Sequence, residues 1–352
     1  MEGQNMSNVG LCDINFSYDD ILQYLYPNVL QIFITIIIPT ITVIGLVSNI
    51  LFLFVVTKLP TMRTITNMYL ANLAVSDCVV LICGVVQYLY SYYNSPINVG
   101  FAFETGIGCA LAGIIGYGCY FNSVFIITLV MFDRYMAICH TFYHRKIAGK
   151  GRSIKLIASS WILSFLLSLF AAGNNSTLSI CLHWEDNESN IYPEKINFCG
   201  QPSAWLLLGL YGINIFFIIN IILILGKRLP SSASDDKRAT NERNQIARML
   251  IINAIIFFLC LGPYQILNFE YAYVYFTVKD LFKKGNIPLI LSRIGQVTTL
   301  LNSLINPIVY GITNKRYRDA FKNAIWCSKK IEKFGTSNPS ILGTNQTRDT
   351  NI

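Results

Sequence analysis

Charged residues are scarce in this sequence, and histidines are rarer still. Asp, Glu, Lys and Arg make up 13% of the 352 residues, while hydrophobic residues make up 53%, a balance too apolar for an ordinary soluble domain. The three histidines, His140, His144 and His183, are not accompanied by a recognisable nucleophile or by a cluster of metal-binding residues. The composition therefore argues against an enzyme and against a soluble protein.

Long apolar runs, in contrast, are abundant. Near-continuous runs lie at about 32–56, 68–90, 107–132, 154–172, 204–226, 247–269 and 287–312, and each has the ~20 residues that a membrane-spanning helix needs. Seven buried helices of a large soluble protein are the alternative, but such helices rarely reach this length without charges. We therefore predict an all-α membrane protein, in which residues 31–312 form a seven-transmembrane helix bundle.

Lys and Arg are missing from the first thirty positions. Basic residues concentrate in the linkers after the first, third and fifth runs, at Lys58, Arg63, Arg145, Lys146, Lys150, Arg152, Lys155, Lys227, Arg228, Lys237, Arg238, Arg243 and Arg248. Since cytoplasmic loops carry an excess of Lys and Arg, the N-terminus is predicted to lie outside a plasma membrane and the C-terminus inside. The net charge of +8 then suits the anionic inner leaflet and does not indicate a nucleic-acid partner.

Residues 1–30 are predicted to form an extracellular glycosylated tail. They lack the basic start and apolar core of a cleavable signal peptide, so the first span is expected to act as an uncleaved signal. Acceptor asparagines for N-glycosylation on the predicted outside are Asn5, Asn15, Asn174, Asn175 and Asn187. Of the ten cysteines, Cys12, Cys109, Cys181 and Cys199 also fall outside, where the compartment is oxidising and an even number favours disulfides.

Two polar motifs interrupt the apolar runs. The third run ends in Asp133-Arg134-Tyr135, although charges near hydrocarbon are expensive unless they pair or reach water. The seventh run contains Asn306-Pro307-Ile308-Val309-Tyr310, in which the proline frees backbone carbonyls inside the bundle. Together with Asn49, Asp77, Cys109, Trp161 and Pro263, these motifs resemble the rhodopsin-like (class A) G-protein-coupled receptors, over about residues 30–327.

The resemblance implies a receptor that activates a heterotrimeric G protein when span six swings outward. Its switch residues would be Asp133, Arg134, Tyr135, Phe142, Phe257, Pro263, Asn306, Pro307 and Tyr310. It also implies a disulfide between Cys109 and Cys181, with Cys199 as an alternative partner for Cys109.

Beyond the seventh run, Tyr317 and Phe321 lie four positions apart among basic residues. This spacing predicts an amphipathic helix on the inner membrane surface over residues 313–327. Cys327 at its end is a candidate for palmitoylation, with a free thiol as the alternative. Residues 328–352 are polar and are predicted to be a disordered cytoplasmic tail, whose Ser and Thr residues would recruit arrestin when phosphorylated.

A carboxylate in the middle of the second run, Asp77, is a further functional candidate. Under the resemblance, Asp77, Ser123, Asn302, Ser303 and Asn306 match the family's internal sodium site, and oxygen ligands around one carboxylate suit a hard cation. A water-filled hydrogen-bond network without an ion is the alternative. Asn49 is also expected to need a hydrogen-bond partner from another helix, for which span two offers candidates.

The sequence departs from the family pattern in three places. Leu261 stands where span six usually has a tryptophan, span five contains no proline, and Arg243 stands where an acid often pairs with the arginine of span three. Asn220 falls near the position of a family tyrosine that joins Tyr310 in the active state. The ligand-sensing step and the inactive-state bridge to span six are therefore expected to differ from the family pattern, while the local Asp133–Arg134 pair is still available.

The ligand class follows from the outer halves of the spans. Gly116 occupies the position of the amine-binding aspartate, and Leu300 that of the retinal lysine, so amine receptors and opsins are disfavoured. The predicted pocket comprises Gln87, Gly116, Tyr117, Tyr120, Tyr264, Gln265, Asn268, Arg293 and Gln296, with plain packing of the bundle as the alternative for each.

The stretch between Cys181 and Cys199 contains the acids Glu185, Asp186 and Glu188, and it is predicted to form a hairpin. The chain most resembles neuropeptide receptors, similar to those for somatostatin, galanin or thyrotropin-releasing hormone, and a peptide with a basic or amidated end is expected. The alternatives are the same fold binding a lipid or other non-amine small molecule, or an orphan receptor with constitutive activity. A transporter would require internal repeats, which the sequence does not show.

Overall fold

Helices occupy all seven predicted spans. The computed structural model describes residues 14–16, 26–95, 101–102, 106–173, 177–185, 191–199, 208–227, 245–246, 248–263, 265–266 and 287–334. The spans are α1 (Asn28–Lys58), α2 (Ile65–Asn94), α3 (Gly106–Cys139), α4 (Lys150–Gly173), α5 (Leu208–Lys227), α6 (Arg248–Pro263) and α7 (Ile287–Thr313). Within these ranges, α1 to α4 are long and apolar enough to cross a membrane. The predicted seven-helix bundle is confirmed.

Polar and apolar side chains are distributed inversely to the pattern of a soluble protein. Val43, Val47 and Ile50 on α1 are more than half exposed, whereas Asn49 and Asp77 are fully buried. Extended apolar surfaces on long helices mark a contact with lipid or protein, whereas single exposed apolar residues are common in soluble proteins. The bundle therefore presents its hydrocarbon surface to lipid and keeps its polar groups inside.

Local sequence explains the irregular points of α1 and α2. A π-helical turn, Phe33–Ile37, ends two residues before Pro39, whose missing N–H interrupts the regular hydrogen-bond ladder. At the start of α2, the Thr64 hydroxyl accepts a hydrogen bond from the Asn67 backbone N–H at 3.3 Å. This contact is an N-terminal cap, which satisfies a backbone donor that the first helical turn leaves free.

Small residues allow close helix packing. A Cβ atom at Gly118 would lie 2.8 Å from two ring carbons of Phe165, so any larger residue on α3 would push α4 away. The core between the helices contains the fully buried side chains Phe52, Leu73, Met131, Phe257 and Tyr310. These side chains come from five of the spans, α1, α2, α3, α6 and α7.

A four-stranded sheet lies at one end of the chain's helices, with the order β1 (Ile14–Phe16), β3 (Thr177–Glu185), β4 (Ile191–Cys199), β2 (Phe101–Ala102). Strands β3 and β4 are antiparallel, with Ile180 opposite Ile196, which is the predicted hairpin. Strand β1 pairs parallel with β3, and β2 pairs antiparallel with β4. We call this the sheet end of the bundle; α2 ends there and α3 begins there.

The opposite end carries two additional helices, Thr141–Ile147 after α3 and α8 (Lys315–Phe334) after α7. We call it the α8 end. Helix α8 begins within the predicted amphipathic segment and continues past residue 327 to Phe334. Of the predicted glycosylation sites, Asn15 lies in β1, and Asn5, Asn174, Asn175 and Asn187 lie outside the described residues.

Candidate functional site

A cavity of about 100 Å³ opens between α2, α3 and α7 near the sheet end. Its lining includes the predicted pocket residues Gln87, Gly116, Tyr117, Tyr120 and Gln296. Amide and phenol groups can each donate and accept hydrogen bonds. Within the described part of the chain, the lining contains no charged side chain.

Other lining residues were not predicted: Val80, Cys83, Gly84, Tyr88, Thr299 and Leu300. Leu300 and Gly84 lie against one another, because a Cβ atom at Gly84 would meet a Leu300 methyl carbon at 2.7 Å. The spacing of Cys83 and Gln87 by one helical turn was a usable signal, since residues four apart share a helix face.

Three predicted pocket residues are not placed by the structure. Tyr264 and Asn268 lie outside the described residues, and Arg293 belongs to α7 with its side chain likewise outside the description. Gln265, in contrast, is buried beside the cavity. Its Nε2 donates a hydrogen bond to the Tyr120 hydroxyl oxygen at 3.2 Å.

The predicted carboxylate site lies in the middle of the bundle. Asp77 is fully buried; Asn306 Nδ2 donates to its Oδ2 at 2.7 Å, and the Ser123 hydroxyl donates to its Oδ1 at 3.3 Å. Ser303 and Asn302 are also buried. The side-chain oxygens of Asn302 and Asn306 are buried with no hydrogen-bond partner among the described residues.

Asn49 has its interhelical partner on α7, and not on span two as expected. Its Nδ2 donates to the Ser303 backbone carbonyl at 2.8 Å and to the Gly45 carbonyl of its own helix at 2.9 Å. On the far side of α2, Asn122 Nδ2 donates to the Ser76 hydroxyl at 2.7 Å, and the Ser160 hydroxyl donates to Asn122 Oδ1 at 2.9 Å. A bond from a side chain to a backbone carbonyl therefore connects α1 to α7. Bonds between side chains connect α3 to both α2 and α4.

The Asp133-Arg134-Tyr135 motif lies at the α8 end. Arg134 Nη2 donates to Asp133 Oδ2 at 2.8 Å and also to the Thr66 hydroxyl of α2. A second contact to Asp133 comes from the helix that follows α3, where His144 Nε2 lies 3.2 Å from Asp133 Oδ1. The sequence predicted the local Asp133–Arg134 pair, but it gave no signal for Thr66 or His144.

Helix α6 is packed inward at the same end. Met249 and Leu250, in its first turn, are 0% and 3% exposed and belong to one core cluster with Met131 of α3. Asn220 of α5 donates to the Phe216 carbonyl of its own helix at 2.8 Å, so its amide is not directed to α7. The described bundle is closed at the α8 end.

Tyr310, the last residue of the α7 motif, is buried between aromatic rings. Its ring centroid lies 5.4 Å from Phe52 and 5.7 Å from Tyr317 of α8. The Tyr317 hydroxyl in turn donates to Asn67 Oδ1 at the start of α2. Burial raises the pKa of the Tyr317 phenol from its ordinary value of 10.0 to about 12.

The remaining predicted residues are placed as follows. Phe257 is fully buried beneath Leu261, and Pro263 ends α6. Phe142 is 85% exposed on the short helix after α3. The side chains of Cys109, Cys181, Cys199 and Cys327 lie outside the description, so neither the disulfide nor the palmitoylation site is tested.

Comparison with known proteins identifies the family. The model of the 7 transmembrane receptor (rhodopsin family) matches residues 48–310, which include α2 to α6, part of α1 and most of α7. The chain is 28% identical to human neuromedin-U receptor 2, with 83% of this chain and 71% of that protein aligned. It is 27% identical to a neuromedin U receptor homologue of Caenorhabditis elegans, covering 89% and 86% of the two chains.

A second kind of relative is the growth hormone secretagogue receptor type 1 of Oryctolagus cuniculus, which is 27% identical over 87% of this chain and 84% of that receptor. The family match extends over both the cavity between α2, α3 and α7 and the closed switch at the α8 end. The chain therefore belongs to the rhodopsin family of seven-transmembrane, G-protein-coupled receptors, and it is a multi-pass membrane protein rather than an enzyme.

Proposed function

We propose that this receptor binds an extracellular peptide that has an amidated end, in the cavity between α2, α3 and α7. The observation that carries the proposal is the chemistry of the lining, in which Gln87, Gln296 and three tyrosines are present and no described residue is charged. A carboxamide fits such a lining because it exchanges hydrogen bonds with other amides. An ionised carboxylate would lose its hydration there without gaining a counter-charge.

The relatives favour a peptide ligand, since they are receptors for neuromedin U and for a growth hormone secretagogue. The acids of the second outer loop, Glu185, Asp186 and Glu188, favour a peptide that also carries basic residues. We orient the receptor with its sheet end facing outward, so that the N-terminus is extracellular and the C-terminus is cytoplasmic. This orientation agrees with the distribution of Lys and Arg.

Activation follows as a shift between two states. The closed state holds Arg134 against Asp133 and Thr66 and keeps Met249 and Leu250 buried. A ligand that binds better to a state with α6 swung outward moves the equilibrium by its differential affinity. Arg134 is then released toward a cavity that accepts the G protein, and the exposed ring of Phe142 contacts the same partner.

The buried carboxylate is proposed to hold a sodium ion. Asp77, Ser123, Asn302, Ser303 and Asn306 would be its ligands, and the fit rests on the two buried amide oxygens of Asn302 and Asn306 that have no partner among the described residues. The ion would supply the positive charge that a fully buried carboxylate needs. The test is thermal unfolding in sodium against N-methylglucamine chloride: sodium should raise the melting temperature of the native chain and not of the Asp77→Asn variant. Equal melting temperatures of the native chain in the two salts would favour the water-filled hydrogen-bond network without an ion.

The other proposed partners are arrestin, through the phosphorylated tail, and membrane lipid, through α8 and a palmitoylated Cys327. Helix α8 has its buried side chains Tyr317, Ala320 and Ala324 on one face, while Lys315, Arg316 and Arg318 extend from the others. A helix of this composition lies along an anionic membrane surface.

The test of the ligand class is a screen of peptides in matched amidated and free-acid forms on cells expressing this chain, with calcium and cyclic AMP as readouts. An active amidated peptide should lose at least tenfold in potency as the free acid. Arg134→Ala should abolish the response at equal surface expression, while Arg63→Ala, which removes an exposed arginine of the first inner loop, should not.

Two results would contradict the proposal. A response only to lipids or other small molecules would assign the cavity to the alternative ligand class, and equal potency of the acid and amide forms would exclude recognition of the amide. Charge reversal of Glu185, Asp186 and Glu188 tests separately whether the peptide carries basic residues that these acids recognise. Unchanged peptide potency in that variant would exclude such recognition.

A further inference from the structure

The bundle needs a contact that couples its cavity to α6, because Leu261 occupies the position of the usual tryptophan. Leu261 is 1% exposed and packs in the core with Phe257 and Ala254. Its short aliphatic side chain has neither an extended ring nor a hydrogen-bonding group. One helical turn further along the chain, just beyond the end of α6, lies Gln265. Its side chain pairs with that of Tyr120 between the cavity and α6.

Gln265 and Tyr120 join two elements that must separate or rotate for the receptor to open. Gln265 Nε2 donates to the Tyr120 hydroxyl oxygen at 3.2 Å, and the two side chains are 4% and 7% exposed. Tyr120 is at the same time a lining residue of the cavity. A molecule that enters the cavity therefore touches one member of the pair, and the other member belongs to the segment that carries α6.

The pair is not fully satisfied in the closed bundle. The Gln265 side-chain oxygen is buried and has no hydrogen-bond partner among the described residues. A buried acceptor without a donor is unfavourable, so an arrangement in which that oxygen meets a donor gains free energy relative to this one. The closed state is thus held by one hydrogen bond and opposed by one missing hydrogen bond at the same amide.

A pair that served only to fill the core would not need this polarity. Leu and Phe at these positions would pack without a buried unpaired oxygen. The polar atoms instead link a ligand-facing ring to a helix whose opposite end, at Met249 and Leu250, is buried in the closed switch.

We propose that the Tyr120–Gln265 hydrogen bond is the contact through which the cavity holds α6 in its closed position. This inference rests on the proposed use of the cavity between α2, α3 and α7 as the ligand site. Displacement of the Tyr120 ring by a ligand breaks the bond, and the position of α6 then shifts toward the open state.

The experiment measures basal G-protein activation, as GTPγS binding to membranes per receptor at the cell surface, with no ligand added. Tyr120→Phe removes the acceptor and keeps the ring, and Gln265→Met removes the donor and keeps the length. Tyr120→Phe should raise basal activation roughly twofold to tenfold, the range that the loss of one hydrogen bond produces. Gln265→Met should raise it less, because it also removes the unpaired oxygen that opposes the closed state. The double variant should match Gln265→Met and should not multiply the two effects, because both changes remove the same bond.

Tyr92→Phe is the matched control. The Tyr92 hydroxyl donates to Gln31 Oε1 at 3.4 Å, so this variant also removes an interhelical bond between a tyrosine and a glutamine, but one that joins α2 to α1. Its basal activation should equal that of the native chain. A general loosening of the bundle would raise all three variants alike and would overturn the proposal.

Unchanged or lowered basal activation in Tyr120→Phe and Gln265→Met would also overturn the proposal. If one of the two variants does not reach the cell surface, the other decides the comparison. The result does not depend on the ligand. A rise in basal activation together with failure of every amidated peptide would establish the Tyr120–Gln265 contact and refute the proposed ligand class. A response to an amidated peptide with unchanged basal activation of the variants would support the ligand class and refute the contact.

Discussion

Asn49 Nδ2 donates a hydrogen bond of 2.8 Å to the backbone carbonyl of Ser303, four residues before Pro307. In a regular helix that carbonyl would accept from the backbone N–H of residue 307, which proline lacks. The side chain of α1 thus supplies the donor that α7 is missing. Because the Ser303 carbonyl is buried in a bundle where water is scarce, the donor that Asn49 supplies in place of the missing N–H contributes to stability.

Asn49→Ala is expected to destabilise the receptor. The change leaves the Ser303 carbonyl without that donor, at a cost of about 1–3 kcal/mol, and the melting temperature of the detergent-solubilised receptor should fall by several degrees. Asn94→Ala is the control, because Asn94 Nδ2 donates to the Tyr90 carbonyl of its own helix, at an exposed position. Equal melting temperatures for the two variants would refute the compensation of Pro307 by Asn49.

Asn253→Leu is expected to preserve or raise stability. Asn253 is 4% exposed on α6, and its side-chain oxygen has no hydrogen-bond partner among the described residues. Replacing an unpaired buried amide with an apolar side chain of similar size removes an unfavourable group.

Asn122→Leu provides the contrasting case, since Asn122 is equally buried but bonded to Ser76 and Ser160. Its melting temperature should fall while that of Asn253→Leu does not. A marked fall for Asn253→Leu would show that its amide is paired in the folded receptor.

The raised pKa of the Tyr317 phenol predicts a loss of stability at alkaline pH. Its pKa in the folded protein is about 12 against an ordinary value of 10.0, so between these values the unfolded chain releases a proton that the folded chain retains. The free energy of unfolding must then fall as the pH rises from about 10 to about 12, by up to about 1.4 kcal/mol per pH unit. The melting temperature of Tyr317→Phe should therefore fall less between pH 9 and pH 11 than that of the native chain.

Tyr93→Phe is a suitable control for this titration, because the Tyr93 side chain is 73% exposed. It should follow the native pH dependence. If Tyr317→Phe also follows the native curve, the phenol of Tyr317 is not held protonated by burial.

Thr66→Val is expected to raise basal signalling. The Thr66 hydroxyl accepts from Arg134 in the closed bundle, and valine keeps the shape while removing the acceptor. Thr57→Val is the control, because the Thr57 hydroxyl donates to the Leu53 carbonyl of its own helix at an exposed position. Basal GTPγS binding per surface receptor should rise in Thr66→Val alone, and an unchanged value would show that Asp133 suffices to hold Arg134.

The spans and the motif positions could be predicted from the sequence because they depend on local composition. A run of apolar residues long enough to cross a bilayer identifies a span whatever its neighbours are. The hairpin was predicted between Cys181 and Cys199 for a similar reason, since it lies within one loop, and the structure begins its first strand at Thr177. Strand β1 was not predicted, because its pairing with β3 depends on a segment far away in the chain.

The partners of polar residues were harder to predict. Sequence showed that Asn49 needed a partner but favoured span two, while the structure places that partner on α7. The signal was present in Pro307, whose missing N–H marks an unpaired carbonyl four residues earlier. For Thr66 and Gln265, in contrast, residue type alone could not identify Arg134 and Tyr120, because these contacts depend on the rotation of packed helices.

The sheet at the end of the bundle joins three separate parts of the chain: the N-terminal segment through β1, the linker before α3 through β2, and the loop between α4 and α5 through β3 and β4. An antibody that recognises this surface would bind a composite epitope. A synthetic peptide from any one of the three segments would not reproduce it. Such an antibody would therefore distinguish folded receptor from unfolded chain. In the proposed orientation, with the sheet end outside the cell, it is a suitable reagent for the surface-expression measurements on every variant.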